Sequence, residues 1–344
     1  MSPIIIEGVD RYRVMEALFE GVRVILSYRG EPYTPAYIQG ISGAAFRIGG
    51  ICPCAPTCSF AMETKDLVML LGYEFVCLSH GENIDLKKSG SEMVSRVKDE
   101  IRANRPVLLW NAFTTAEWDV VCGFDEENKR LFGRGSYKGL DGYAEADEMR
   151  TIDFIPHNIK EGRRGDSTIL IGRKEGAFDA RKAEVAALKE AVTHAQSGKV
   201  AVTTTNPWTF LEGLQCYEGD KWVFLEGLQC YSRWVSDFSK PEKKRELGDS
   251  YCLDVYRSTH RAASEFMLEL APKYPEATGH FRTAASQFAK EADMLDQCVP
   301  LLGMESPEGP DPERNVRVTK LLDRARDHYS RGISEIEKAL DVIH

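Results

Sequence analysis

The chain has 344 residues and carries 44 Lys and Arg against 53 Asp and Glu, a formal net charge of −9. That deficit of cations argues against nucleic acid or an anionic membrane as partner, since either needs a basic face. Hydrophobic residues at 43% and charged residues at 28% are ordinary globular composition, and the length accommodates about two domains with separate cores. No apolar run reaches the ~18 residues of a membrane span, and the opening MSPIIIEGVDRYR turns acidic too early for a secretion signal. The expectation is a cytoplasmic protein whose nine cysteines are thiols or metal ligands rather than disulfides.

Val14, Leu18, Val22 and Ile25 fall at helical spacing, with Gly30 as a stop. Pro35 to Ile41 reads as a second short helix, and Gly49, Gly50 and Pro53 impose an irregular loop. A short apolar segment from Asp66 to Leu71 ends at Gly72, and Tyr73 to Cys77 reads as a strand. Glu92 to Asn104 is a helix with Met93, Val97 and Ile101 on one side. Strands follow at 106–110, 119–124, 130–134 and 167–171, with Asp125-Glu-Glu-Asn128 as the turn between the second and third.

Composition shifts at Gly176, so domains are expected at 1–175 and 176–344, the second helical. Asp179 is placed to cap a helix carrying Val185, Leu188, Val192 and Ala195, stopped by Gly198. Three further stripes run Cys252 to Leu270, Phe281 to Leu302 and Val318 to Leu340, the last opened by Asp311 as N-cap and Pro312 at the first helical position. An antiparallel bundle is the economical way to cover them, and any excess apolar surface points to a homodimer. Phe210-Leu-Glu-Gly-Leu-Gln-Cys-Tyr217 recurs as Phe224 to Tyr231, each copy two residues after a Trp. A 14-residue shift is close to four helical turns, so two helical copies would show one face; the expected origin is a recent short duplication, since stacking architectures need three or more units of about 20–50 residues.

Cys52-Pro-Cys-Ala-Pro-Thr-Cys58 sets three thiols in seven residues. Cys52, Cys54 and Cys58 suit Zn²⁺, with His80 as a fourth ligand. Cys58, at the start of a helix from Ser59, is alternatively a nucleophile favoured by the helix dipole, and plain buried cysteines fit as well. Gly40-Ile-Ser-Gly-Ala-Ala-Phe-Arg47 lets a ligand or a neighbouring helix approach closely but matches no phosphate loop. Arg47 suits an anionic ligand or a structural carboxylate. Gly133-Arg-Gly-Ser-Tyr137 offers Arg134 and Tyr137 to a cleft rim, or merely ends a hairpin. His157, His194, His260, His280 and His328 show no metal spacing and read as structural. Trp208, Trp222 and Trp234 line a pocket between domains or fill a core.

Tyr28-Arg-Gly-Glu-Pro-Tyr33, Gly40 to Arg47, Arg105-Pro-Val-Leu-Leu109 and Glu117-Trp-Asp-Val-Val-Cys-Gly-Phe-Asp125 together resemble the papain-like cysteine-peptidase superfamily in its bacterial form. The types concerned are the bacteriocin-processing peptidases and the N-terminal domain of the butirosin-biosynthesis protein H, over roughly residues 10–175. The resemblance implies an α+β fold, a papain-like N-terminal domain with an antiparallel sheet followed by the C-terminal α-helical bundle, and a cleft between the first helix and the sheet. Val14-Met15-Glu16 stands where the family keeps its Cys, and Glu117 where it keeps its His. Two carboxylates in one cleft can share a proton, hold a divalent metal or act as acid and base; solvated surface residues are the bland alternative. The functional expectation is a catalytically degenerate protein, a pseudoenzyme, that binds a small molecule or peptide through Arg47, Trp118, Arg134 and Tyr137. The alternative is an active hydrolase or acyl or amide transferase using Cys58, or Glu16 with Glu117.

Overall fold

The computed structural model describes residues 2–49, 62–79, 86–110, 112–114, 117–135, 149–154, 166–197, 199–202, 216–218 and 221–343. In chain order the elements are β1 (Ile4–Ile5), α1 (Ala17–Tyr28), α2 (Pro35–Ile41), a 3₁₀ turn (Ala44–Phe46), α3 (Thr64–Leu70), β2 (Tyr73–Ser79), α4 (Leu86–Arg102), β3 (Val107–Trp110), β4 (Trp118–Asp125), β5 (Arg130–Arg134), β6 (Arg150–Asp153) and β7 (Asp166–Lys174). Then come α5 (Ala180–Ser197), β8 (Lys199–Val202), β9 (Cys216–Glu218), β10 (Lys221–Leu225), α6 (Gly227–Phe238), α7 (Leu247–Leu270), α8 (Thr278–Leu302) and α9 (Pro312–Val342). The fold is mixed α and β with an antiparallel sheet and C-terminal helices. Among the described residues, no helix is long and apolar enough to cross a membrane.

Two compact units form, and they are not consecutive in sequence. One holds Met1–Pro35 with Glu63–Asp179, the other Ala36–Met62 with Ala180–His344. Residues 36–49 therefore count with the helical unit rather than with the first half of the chain. Gly40 gives the physical reason: a Cβ there would lie 2.3 Å from the ring of Phe266 on α7, so the small residue is what lets α2 sit against that helix. Gly40→Ala should therefore overpack this contact and lower stability by about 1–3 kcal/mol, read as a fall in the urea midpoint; a variant within ~0.5 kcal/mol of wild type would contradict the tight contact.

The sheet unit is ordered β2-β7-β3-β4-β5-β6, with every described pairing antiparallel. β4 is its centre. β3 pairs it over 118–121, and β1 takes over at Gly123 and Phe124. That hand-over needs a glycine, because a Cβ at Gly123 would stand 2.9 Å from the Ile4 carbonyl oxygen. The expected turn closes on Asp125, whose carboxylate accepts the backbone N–H groups of Glu127 and Asn128. α1 packs on β3 and β4, and α4 on β1, β3 and β4. Met93, Val97 and Ile101 are buried as their spacing requires. The first helix starts at Ala17, not Val14, because Glu16 is extended and caps it.

The helical unit departs from an all-helical expectation. Residues 199–202, 216–218 and 221–225 form a three-stranded antiparallel sheet, β8-β10-β9. The duplicated segment is split by it: Cys216-Tyr217 lies in β9, whereas the matching Cys230-Tyr231 lies in α6. These two Cys-Tyr pairs do not share a helical face, since backbone pairing with β10 decides the first; residues 210–215 of the first copy lie outside the described residues. Around them α8 packs along α7 and α9, and α5 and α6 pack on α9. Trp234 is core, with its indole N–H donating to Asp249 at 3.0 Å. α9 begins at Asp311 and Pro312, and the Asp311 carboxylate accepts the Arg314 N–H. The α5 stripe is rotated from the expected one: Ala183, Glu184, Ala187, Leu188, Ala191 and Ala195 are buried, while Val185 and Val192 are only half-buried. Glu184 turns the helix inward because its carboxylate accepts from Tyr37, Tyr274 and Lys273.

Candidate functional site

The candidate site lies in the sheet unit, where the α1 N-terminus meets the start of β4. Glu16 and Glu117 are each only 2% exposed, so the solvated reading is excluded for both. Glu16 is the N-cap of α1, accepting from the N–H groups of Leu18 at 3.3 Å and Phe19 at 2.9 Å. A carboxylate there also complements the positive end of the helix. Glu117 precedes β4 in a turn, its N–H donating to the Thr114 carbonyl.

Tyr12 is buried and reaches the start of β4. Its hydroxyl donates to the Trp118 carbonyl at 3.0 Å, one residue past Glu117. Burial, followed by the charges of Asp119, Glu20, Glu117 and Glu16, pushes this phenol well above its ordinary range. All four charges therefore raise one hydroxyl, which stays protonated and keeps its proton on the Trp118 carbonyl.

Asp119 and Glu20 are fully buried. Burial pushes the Asp119 carboxyl up to about 7, against the pull of the Phe113 and Thr114 N–H groups and the Thr114 hydroxyl. Burial likewise raises Glu20 to about 7, with Arg23 offsetting only part of it. Arg23 is 2% exposed and bridges Glu20 and Asp10. For Asp10, burial is outweighed by hydrogen bonds from Arg13, Arg23 and the Arg11 N–H, which bring it to about 2. The cluster thus holds two carboxyls able to carry a proton near neutrality beside one that is firmly ionised.

Trp118 stands beside this cluster, edge-to-face on Trp110 at 5.5 Å between ring centroids. Arg134 ends β5 opposite Val120 and is half-buried. Its charge acts on the Cys122 thiol, which burial nonetheless pushes up to about 12, far too high for a nucleophile at neutral pH. Arg47 belongs to the helical unit, where its carbonyl meets His260. Tyr137, Cys52, Cys54, Cys58 and His80 lie outside the described residues, so the zinc and Cys58 expectations fall there too. Among the described residues, no three His, Cys, Asp or Glu side chains are arranged to hold a metal ion.

Sequence reading missed Tyr12, Glu20, Arg23 and Asp119. The available signal was a charge inside an apolar run: Glu20 and Arg23 three apart within Ala17–Leu26, and Asp119 ahead of Val120-Val121-Cys122. Charges with no solvated face to occupy must pair or protonate. No protein-family model matches this chain and no curated protein matches it, so its resemblance to papain-like peptidases rests on the quoted motifs alone.

Proposed function

We propose that the sheet unit is a papain-like scaffold without its thiol and imidazole, a cytoplasmic binder of a small molecule or peptide at the α1 N-terminus beside β4. The observation that carries this reading is the burial of Glu16 and Glu117, the positions of the family's Cys and His, at the α1 N-terminus and just before β4, two elements that pack on each other. Buried carboxylates beside a half-buried aromatic side chain, Trp118, supply polar groups that set orientation and an apolar surface that adds contact. Losing one charge-assisted contact costs about 1.5–3 kcal/mol, tenfold or more in Kd.

The test is a thermal-shift panel of amino acids, dipeptides, amines and amides on the full chain. A panel member should raise the melting temperature, and Glu117→Gln should weaken its Kd at least tenfold while leaving the unliganded fold intact. No stabilising member, or equal binding by the variant, would count against the site.

Asp119 and Glu20, brought to about 7 by burial, favour a second reading: acid–base chemistry on a bound amide or ester. It requires turnover that Asp119→Asn abolishes. Stoichiometric binding without turnover decides for the binder.

A further inference from the structure

Within the helical unit, the backbone of residues 46–49 is held by one side chain per residue. Tyr329 on α9 donates to the Phe46 carbonyl at 2.8 Å, and His260 Nε2 on α7 meets the Arg47 carbonyl at 3.1 Å. The Ile48 N–H donates to His194 Nε2 on α5 at 3.0 Å, and the Gly49 N–H to the Tyr256 hydroxyl on α7 at 3.0 Å.

The two histidines on this segment need opposite protonation states. His260 faces a carbonyl with Nε2 and the Glu291 carboxylate with Nδ1, at 2.6 Å. Both partners accept, so the ring carries two protons. It lies stacked between Tyr256 and Tyr329, and the Tyr231 hydroxyl donates to the same Glu291 oxygen. Burial opposes the imidazolium, but Glu291 prevails and the His260 titration is raised.

His194 is the reverse case. Nε2 accepts the Ile48 N–H, so the ring's single proton sits on Nδ1, toward the Glu226 carboxylate 3.6 Å away. Burial first, then the charge of Arg47, and last that of His260, hold it down to about 4, against the Ile48 carbonyl. Glu226, capping α6, is the facing anion, itself raised by burial despite the Ser197 hydroxyl and Arg47, with Glu190 adding to the rise. The Ile48 carbonyl lies 3.2 Å from the same Nε2 but already accepts the Gly227 N–H at 2.8 Å.

We propose that His194 is an acid-released latch on residues 47–49: protonation of Nε2 removes the only role in which it accepts the Ile48 N–H, and the backbone parts from α5. A protonated ring that turned to the Ile48 carbonyl would still strand that buried N–H. It would also add a positive charge beside Arg47 and His260. In sequence the latched residues lead directly into Cys52-Pro-Cys-Ala-Pro-Thr-Cys58. The closed state binds fewer protons than the open one, so the latch is at full strength above the ordinary value of 6.5 and weakens as pH falls toward about 4.

Hydrogen exchange of the Ile48 and Gly49 amides in the full chain tests this, with rates corrected for intrinsic pH dependence. Opening should rise roughly tenfold or more from pH 7 to pH 5 in wild type. His194→Gln keeps an acceptor at the Nε2 position without a titrating proton, and its protection should stay flat. A flat wild type, or an equal rise in the variant, overturns the proposal. Imidazole nitrogen NMR of wild type gives a readout independent of the variant's folding: the expected state at pH 7 is the neutral Nδ1–H tautomer, titrating well below 6.5. An Nε2–H tautomer or an ordinary titration overturns it.

Discussion

Replacing Arg23 with Met should destabilise the sheet unit by about 3–5 kcal/mol at pH 8, the range for breaking a buried ion pair from one side. Methionine keeps the aliphatic stem and its packing, so the loss is electrostatic. The guanidinium meets Asp10 and Glu20, and it donates to the Arg11 carbonyl at 2.7 Å. Without it, Glu20 would keep, among the described residues, the Arg13 N–H at 2.8 Å as the partner for its charge. Burial already brings Glu20 to about 7 with Arg23 present, so the variant should hold that carboxyl protonated to still higher pH. A carboxyl raised in the folded state contributes stability that is present below its unfolded value and lost as pH rises through the folded one. The variant's deficit should therefore shrink on acidification. Glu20→Gln combined with Arg23→Met should recover much of it at pH 8, since the uncompensated anion is gone. Urea unfolding of the three proteins at pH 5 and pH 8 measures this. A single variant within ~1 kcal/mol of wild type at pH 8 would mean that solvent reaches the pair.

Elements set by local chemistry were legible in the chain. The stripe from Val318 to Tyr329 buries as spaced, and Asp311-Pro312 starts its helix as cap chemistry requires. Met93, Val97 and Ile101 likewise bury together. What sequence reading could not reach depends on partners far along the chain. Nothing near Gly40 announces that Phe266 will sit on it, so the assignment of residues 36–49 to the helical unit is invisible locally. Glu184 rotates α5 because two tyrosine hydroxyls and a lysine, up to 147 positions away, converge on it. The Cys-Tyr pair of the duplicated octapeptide folds once as strand and once as helix, so pairing overrode identical local sequence. At the candidate site, the papain-like motifs point to Glu16 and Glu117 as an isolated pair. Asp119 and Glu20 are buried as well and act with them on the Tyr12 hydroxyl, which a period count misses because it registers only the apolar residues and passes over charges embedded among them.

Asp119 offers the largest pH effect. Its Oδ2 accepts the N–H groups of Phe113 at 2.7 Å and Thr114 at 2.9 Å, and its Oδ1 accepts the Thr114 hydroxyl at 2.8 Å. The backbone closes over it at Gly135, where a Cβ would stand 2.2 Å from Oδ1. Burial outweighs these donors and moves the carboxyl from 3.8 to about 7. Between those values the folded protein holds a proton that the unfolded chain releases, so stability falls as pH rises through that window and levels off above it. A shift of roughly three units corresponds to about 4 kcal/mol between pH 3.5 and pH 8. Asparagine fits the same frame: its oxygen can accept the two backbone N–H groups, while its amide donates to the Thr114 hydroxyl, which rotates to accept. Asp119→Asn should therefore match or exceed wild-type stability at pH 8 and lose its advantage toward pH 4. Subtracting one unfolding profile from the other cancels Asp10 and the remaining carboxylates, provided the sites add. A difference that is constant from pH 4 to pH 8 would mean that Asp119 is ionised throughout. Its three donors would then outweigh burial, and the site would present a permanent anion beside Tyr12 instead of a proton carrier.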